Sequence, residues 1–250
     1  MESPQLHSLG FDAEDLESLT SAAFSAGVRG IDQVPGFALI GTYTDPSGAR
    51  LAFVQRDGHP IDTAATLKSD VSYRAQVLRF SDHMARVTLY ANDAEGEQLA
   101  QYLALVDDPV CYEQHDPSAD GHDSLIDALQ VGMLALDVAV FDDEETFLAS
   151  DEARIGNVLL DTHALMSPSL MALFAGSISP DEATPNVLMS AVVDAVEVRR
   201  NALTGIDFQY ATVTSEATFG VALPLDTPVE AGNIIFGTFQ AGASSGLWDA

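Results

Sequence analysis

The spacing of apolar residues along the chain predicts one early helix and then a long series of strands. Four apolar residues between positions 16 and 24 share one helical face. Asp12 is the expected helix cap, Asp15 stands three residues later as in a capping box, and Gly27 is the expected end of the helix.

Strand patterns dominate the rest of the first 110 residues. Residues 37–43 and 50–56 flank the turn sequence Asp45–Gly48 and therefore predict a hairpin. A meander of three strands is expected over 72–80, 84–91 and 98–106. The last of these segments also fits a helix, because its apolar residues recur at helical spacing as well.

The middle of the chain is predicted to be mixed. Five apolar residues between Ser124 and about Leu136 fall on one side of a helix, so a helix is expected there. The other elements expected in this part are a strand over 138–141, a helical turn opened by the acidic run 142–145, a strand over 155–160, a helix over 167–175 and a loop over 177–185.

The last third of the chain is rich in strand patterns, which cover 188–199, 206–214, 217–223 and 233–240. Several strands within about 60 residues, with no predicted helix of appreciable length, favour a small barrel or a curled sheet. The sequence as a whole predicts an α+β protein. It is expected to be mainly antiparallel β, with few short helices and a small C-terminal β-barrel-like domain.

Charge divides the chain into three stretches. The 250 residues carry 10 basic and 38 acidic side chains, a net charge of −28. We predict an α+β domain with the meander over 1–110, an acidic helical or mixed region packing on it over 111–186, and the barrel-like domain over 187–250. The middle stretch has a single base, Arg154, and fifteen acids. It therefore carries half of the net charge.

The shortage of bases excludes some common functions and leaves others open. Binding of a phosphate backbone needs a row of Lys and Arg, so we expect no nucleic acid and no membrane surface as partner. The sequence shows neither a secretory signal nor an apolar run of about 18 residues. Cys111 is the one cysteine and cannot form an internal disulfide. The expected location is the cytoplasm.

Three short segments carry a resemblance to a known fold: Ala195–Asn201, Leu203–Gly205 and Ala231–Gly237. With them, residues 187–245 resemble a small OB-type barrel, and also the C-terminal part of uncharacterised actinobacterial proteins. An OB-type fold implies a binding face for nucleic acid or sugar. This segment departs from that use, because it is net acidic and only Arg199 and Arg200 could meet phosphate.

One loop has the spacing of a calcium site. Calcium is coordinated by six to eight oxygen atoms from a loop that turns sharply at a glycine. Residues 116–127 resemble an EF-hand loop with Gly121 at its sixth position. The candidate ligands are Asp116, Ser118, Asp120 and Asp127. In the alternative interpretation, Ser124 and Asp127 form a capping box for the helix expected after the loop.

Two further sets of residues are weaker candidates. Cys111, His115 and His122 suggest a transition-metal site, but their spacing matches no standard pattern and a buried thiol is the simpler interpretation. Acid–histidine neighbours occur at 57–59, 82–83 and 161–163, and solvated surface is the alternative for each. Asp161–His163 follows an apolar strand and is the strongest of the three.

These observations lead to one function hypothesis and two alternatives. The leading hypothesis is a non-catalytic binding or protein-interaction module, with a cationic protein as its partner and no cofactor. The first alternative is a hydrolase-type enzyme, with carboxylates and His163 in a cleft between the domains. In the second, calcium at 116–127 has a structural role.

Overall fold

The computed structural model describes residues 3–12, 15–93, 96–117 and 121–249. Its helices are α1 (Pro4–His7), α2 (Leu16–Gly27), α3 (Glu144–Ala149) and α4 (Pro168–Phe174). Single turns of 3-10 helix lie at Pro109–Cys111, Pro180–Glu182 and Leu247–Asp249. The strands are β1 (Arg29–Gly30), β2 (Phe37–Thr44), β3 (Ala49–Arg56), β4 (Asp62–Leu67), β5 (Ser72–Arg79), β6 (Met84–Tyr90), β7 (Gln98–Val106), β8 (Ser124–Phe141), β9 (Arg154–Ile155), β10 (Val158–Leu159), β11 (Leu165–Met166), β12 (Asn186–Arg200), β13 (Asp207–Thr214), β14 (Thr218–Pro224) and β15 (Ile234–Ser244).

A nine-stranded sheet forms the centre of the molecule. Its strand order is β11-β12-β13-β14-β8-β15-β7-β6-β5, with further pairings of β12 with β15 and of β8 with β5. Only the β14–β8 and β15–β7 pairs of the described strands are parallel. The prediction of an α+β protein that is mainly antiparallel β with few short helices is confirmed.

The pairings of this sheet run in two circuits that share β8 and β15. One circuit is β12–β13–β14–β8–β15 and back to β12, and the other is β5–β6–β7–β15–β8 and back to β5. Strands from all three predicted domains therefore share one sheet. The four strands of the C-terminal stretch complete their circuit only with β8, which belongs to the middle stretch.

The helix expected from Ser124 to Leu136 is wrong, because this segment is the first part of the long strand β8. Leu129, Val131 and Met133 alternate along the strand and all enter the large core of the nine-stranded sheet. Leu134 enters a second core on the opposite face. A strand that is buried on both faces carries apolar residues at successive positions. Some of these residues therefore also fall at helical spacing by chance. Gly132 allows close packing, since a Cβ there would lie 2.8 Å from the Leu67 carbonyl oxygen.

The second core joins the nine-stranded sheet to a four-stranded sheet of order β1-β2-β3-β4. Strand β3 is buried on both faces for most of its length. Leu51 and Phe53 point into the second core, whereas Val54 packs with Ile40 and Trp248 on the other face. The 3-10 turn that carries Trp248 is thereby docked on the four-stranded sheet.

Turn chemistry predicted several elements correctly. The hairpin around Asp45–Gly48 and the meander of β5, β6 and β7 are confirmed, and residues 98–106 form a strand rather than a helix. The predicted early helix is α2, which ends at Gly27 as expected, but its cap is Asp15, which accepts a hydrogen bond from the Ser18 backbone N–H. Asp12 is not the cap and instead contacts His7.

No helix within the described part of the chain is both long enough and apolar enough to span a membrane.

Candidate functional site

A cleft of about 880 Å³ lies where the four-stranded sheet meets the nine-stranded sheet. Its lining comes from the described part of segment 3–16, from β3 and β4, from the turn between β5 and β6, and from the 3-10 turn at 180–182. Gln240 of β15 also lines it, and its Nε2 donates to the Ala65 carbonyl at 2.9 Å. This hydrogen bond links the two sheets at the cleft.

The turn between β5 and β6 brings Asp82 and His83 into the cleft wall. Ser81 shapes the turn, because its Oγ accepts a hydrogen bond from the Met84 backbone N–H at 3.0 Å. Arg79 supports it from β5, and its Nη1 donates to the Ser81 carbonyl at 2.7 Å. Two side chains therefore hold the turn that positions the acid–histidine pair.

Asp82 is paired with Arg56 at the end of β3. The Arg56 Nε donates to Asp82 Oδ2 at 2.7 Å, and Nη2 donates to Oδ1. The guanidinium also lies over the Phe37 ring, 5.1 Å from its centre. The hydrogen bonds that Arg56 donates to Asp82 raise the pKa of the guanidinium, which is charged at any ordinary pH. Arg56 is the one base among the described residues that line the cleft, and Asp82 neutralises it.

His83 is the most unusual side chain of the cleft. It is 5 % exposed, and neither ring nitrogen has a hydrogen-bond partner among the residues that the structure describes. Burial lowers the pKa of His83 and outweighs the opposite effects of the Asp62 carboxylate and of the nearby Val106 backbone. The Nε2–Asp62 Oδ2 distance of 3.6 Å is too long for a hydrogen bond. The imidazole is therefore neutral near pH 7 and offers one donor and one acceptor.

Carboxylates set the charge of the cleft. Three of the five have a structural partner: Asp82 pairs with Arg56, Asp15 caps α2, and Asp12 Oδ2 lies 2.9 Å from His7 Nδ1. Hydrogen bonds from Ser18 lower the pKa of Asp15, so it stays ionised. The side chain of Asp62 is 72 % exposed and stands at the mouth of the cleft. The five carboxylates of the described lining are Asp12, Asp15, Asp62, Asp82 and Asp181.

The structure describes only part of the predicted calcium loop, and none of the described loop residues lines the cleft. Asp116 lines a small cavity beside α4, and Asp127 is an exposed residue of β8. Ser118 and Asp120 lie outside the described residues. A strand follows the loop, so the capping-box interpretation of Ser124 and Asp127 is wrong. Calcium binding itself stays a prediction.

Asp82 and His83 line the cleft, but the other predicted candidates do not, neither the acid–histidine neighbours at 57–59 and 161–163 nor Cys111, His115 and His122. Asp161 Oδ1 accepts a hydrogen bond from the His163 backbone N–H at 2.8 Å, so this carboxylate shapes a loop rather than orienting the imidazole. The rings of His115 and His122 stack with centres 4.4 Å apart. Within the described ranges, no three His, Cys, Asp or Glu side chains converge as a metal site would require.

Comparison of the chain with protein-family models, with curated proteins and with solved structures found no match. The resemblance to OB-type barrels and to actinobacterial proteins therefore stays a prediction.

Sequence reasoning identified one part of the cleft and missed the rest. The Asp82–His83 pair was visible as an acid–histidine neighbour in a predicted turn. Asp62 and Arg56 come from the other sheet and are more than 20 residues away, so no local spacing connects them to His83. In the sequence, only the excess of acidic over basic residues indicated that a binding cleft would be negatively charged.

Proposed function

We propose that the protein is a non-catalytic binding module whose cleft takes a cationic group on a short apolar stem, an alkylammonium. The observation that carries this proposal is the buried, neutral His83 beside Asp62, in a lining with five carboxylates and one base. The source of the alkylammonium is either a free amine or a lysine side chain of a basic partner protein. The chemistry that the cleft recognises is the same for both.

Charge and hydrogen-bonding capacity both favour an ammonium group. An ammonium has three donors and no acceptor, so it matches the free acceptor of a neutral imidazole and a carboxylate oxygen. His83 and Asp62 present these two acceptors on one wall, from different sheets. An unpaired buried polar group costs about 1–3 kcal/mol, and a bound donor relieves part of that cost. The net charge of −28 attracts cations at long range.

The rest of the lining suits an apolar stem. Side chains from the N-terminal segment, from the β5–β6 turn and from β7 present methyl, aromatic and thioether groups to the same cavity. Burial of each CH₂ group contributes about 0.8 kcal/mol, so a stem of four carbons adds useful affinity. The apolar residues of the lining include Leu6, Phe11, Phe80, Met84 and Leu105.

Isothermal titration calorimetry with n-butylammonium tests the proposal, with n-pentanol as the neutral ligand of similar length. We expect binding of the amine, and binding about tenfold weaker after Asp62→Asn or His83→Gln, which corresponds to about 1.4 kcal/mol. Asp57→Asn is the matched control, because Asp57 is exposed just after β3, outside the cleft lining. It removes the same charge and should leave the affinity unchanged.

Three results would count against the proposal. The first is equal affinity for the amine and the alcohol. The second is unchanged affinity in both Asp62→Asn and His83→Gln. The third is a loss of affinity in Asp57→Asn as large as that in Asp62→Asn. A titration with a lysine whose backbone ends are blocked separates the two sources. Tighter binding than n-butylammonium favours a lysine of a partner protein, and weaker binding favours a free amine.

A hydrolase is the second candidate function, and His83 is the observation that favours it. A neutral imidazole can take a proton from water as the water attacks an ester, and Asp62, 3.6 Å from Nε2, would stabilise the imidazolium that forms. The water oxygen bonds to the ester carbon and the alkoxide leaves with the proton. Turnover of p-nitrophenyl esters that His83→Gln abolishes would support this candidate. Turnover that survives His83→Gln would contradict it.

We also infer that the circuit β12–β13–β14–β8–β15 closes as a small barrel, a finer form of the predicted C-terminal architecture. Each of its five strands pairs with two neighbours in the circuit, which supports the inference. Residues 187–250 alone lack β8, so the fragment should give an amide NMR spectrum without dispersion. A well-dispersed spectrum of the fragment would contradict the need for β8.

A further inference from the structure

A small hairpin formed by β9 and β10 projects from the molecule and exposes more apolar side chains than a surface turn usually does. All six residues from Arg154 to Leu159 are exposed, although half of them are large and apolar. The exposed fractions are 42 % for Ile155, 62 % for Val158 and 50 % for Leu159. Single exposed apolar residues are ordinary, but three within six residues indicate a contact surface.

The base of the hairpin is held by the core. The Leu160 backbone N–H donates to the Ala153 carbonyl at 2.8 Å, which continues the ladder of the hairpin. Both residues are buried in a cluster with Phe147 of α3 and Ile234 of β15. The hairpin is therefore a fixed projection with a defined register, in which Val158 lies opposite Ile155 and Leu159 lies opposite Arg154.

Among the described residues the outer edge of β10 is open, whereas on the β9 edge the Arg154 backbone N–H already donates to the Asp151 carbonyl at 3.1 Å. Within the described part of the chain, β9 and β10 pair only with each other and form a sheet of their own. An open strand edge offers unpaired N–H and C=O groups, and proteins recognise extended segments by adding a strand to such an edge. Ile155 and Val158 share one face, and Leu159 lies on the other, so an added strand would meet apolar side chains on both faces.

The surrounding charge defines the kind of strand that fits. Asp151 and Glu152 precede the hairpin and Asp161 follows it, and the stretch 111–186 has fifteen acids against the single base Arg154. A second copy of this chain would bring another net charge of −28 to the contact, which opposes self-association. The same negative charge attracts a basic segment.

We propose that the hairpin β9–β10 docks, by strand addition, an extended basic segment of a partner protein in which apolar residues alternate with Lys or Arg. The contact uses the open edge together with Ile155, Val158 and Leu159. It is separate from the cleft, whose described lining contains none of these residues. The proposal therefore does not rest on the function proposed for the cleft.

Fluorescence anisotropy with two labelled peptides of equal charge tests the proposal, at about 150 mM salt to screen exposed charges. One peptide alternates four lysines with three valines, and the other alternates four lysines with three glycines. We expect the valine peptide to bind about tenfold more tightly than the glycine peptide. The double substitution Val158→Ser and Leu159→Ser should remove this difference and leave the weak binding of the glycine peptide unchanged.

The matched control is the double substitution Met171→Ser and Phe174→Ser, which removes two apolar side chains that α4 also exposes. It should leave both affinities as they are, and circular dichroism confirms that each variant folds. Equal affinity of the two peptides would overturn the proposal, because the attraction would then be charge alone. A dimer in light scattering that Val158→Ser and Leu159→Ser dissociates would overturn it too, since the occupant would be a second copy.

Discussion

Arg50 and Arg56 both pair with aspartate, and their surroundings differ in almost every other respect. Arg50 of β3 is completely buried, and its Nη1 donates to Asp107 Oδ2 at 2.8 Å. Arg56, six residues later on the same strand, is exposed at the cleft, where it holds Asp82. One strand thus delivers one guanidinium to the interior and one to a ligand-accessible surface.

All but one of the partners of Arg50 come from distant parts of the chain. Nη1 also reaches Ser244 Oγ at 3.2 Å, Nη2 bonds to Asp249, and Nε donates to Thr44 Oγ1 at 3.2 Å. The indole of Trp248 donates to the Asp107 carbonyl at 2.8 Å. These bonds tie the four-stranded sheet to β15 and to the 3-10 turn after it.

The difference teaches how burial changes the role of an ion pair. A buried charge that loses its partner is costly, so the Arg50 cluster works as a structural connection. An exposed pair contributes little to stability and can change partners, so the Arg56 pair suits a binding surface. Four predictions test this contrast, and they are ordered by the size of the expected effect.

Arg50→Ala should reduce the free energy of unfolding by about 3–5 kcal/mol, because it leaves the buried Asp107 without its cation. Urea denaturation followed by tryptophan fluorescence measures the change, since Trp248 lies in the same cluster. Arg50→Lys keeps the charge and should lose less. If Arg50→Ala unfolded at the same urea concentration as the wild type, the structural role of this cluster would be wrong.

Because of Asp107, the protein should be more stable in mild acid than at neutral pH. Burial and the neighbouring Asp108 raise the pKa of Asp107 to about 6, despite the opposing effect of Arg50. Between about pH 4 and pH 6 the folded protein keeps a proton that the unfolded chain releases, so this contribution is full below pH 4 and is lost as the pH rises through 6. Relative to Asp107→Asn, the wild type should lose roughly 2–3 kcal/mol from pH 4 to pH 7. Parallel pH profiles of the two proteins would contradict this.

His83 should have the opposite dependence on pH. Its pKa is lowered by burial and further by the charge of Arg79, and the opposite effects of Asp62, Asp82 and the Val106 backbone do not reverse that direction. As the pH falls through about 6.5 the unfolded chain gains a proton that the folded protein does not, so stability decreases. Thermal unfolding at several pH values should show a loss in the wild type that is absent in His83→Gln. The same loss in the variant would assign the effect to other groups.

Arg56→Ala should have the smallest effect on stability, below about 1 kcal/mol, because its pair with Asp82 is exposed. The substitution also frees the Asp82 carboxylate and makes the cleft more negative. We therefore expect binding of n-butylammonium to become about two- to threefold tighter, or about 0.5 kcal/mol. A loss of stability as large as that of Arg50→Ala would remove the contrast between the two arginines.

Local chemistry explains which elements the sequence predicts well. The Asp45–Gly48 turn is determined by its own residues, and the Gly48 N–H donates to the Asp45 carbonyl at 2.8 Å. Strand β8 was missed because its partners β5, β14 and β15 decide its conformation, and these lie far away in sequence. Apolar spacing cannot show that both faces of a segment are buried.

The cleft illustrates the same limit at the level of side chains. Asp82 and His83 are adjacent in sequence, and a turn between two strands was expected around them. Their meeting with Asp62 and Arg56 depends on how the two sheets pack, which is decided by the shared core of residues such as Leu51, Phe53 and Leu134. The excess of acids indicated a cationic ligand, but not the place where it binds.

The position of β15 has a consequence for how the chain reaches its native state. This strand follows all the others in sequence, yet it lies between β8 and β7. While a ribosome synthesises the protein, the facing edges of those two strands stay vacant until β15 has emerged. Pairing over such sequence separations is slow, and vacant edges invite wrong partners. Refolding should accordingly be slow, and early intermediates should be the species most exposed to aggregation.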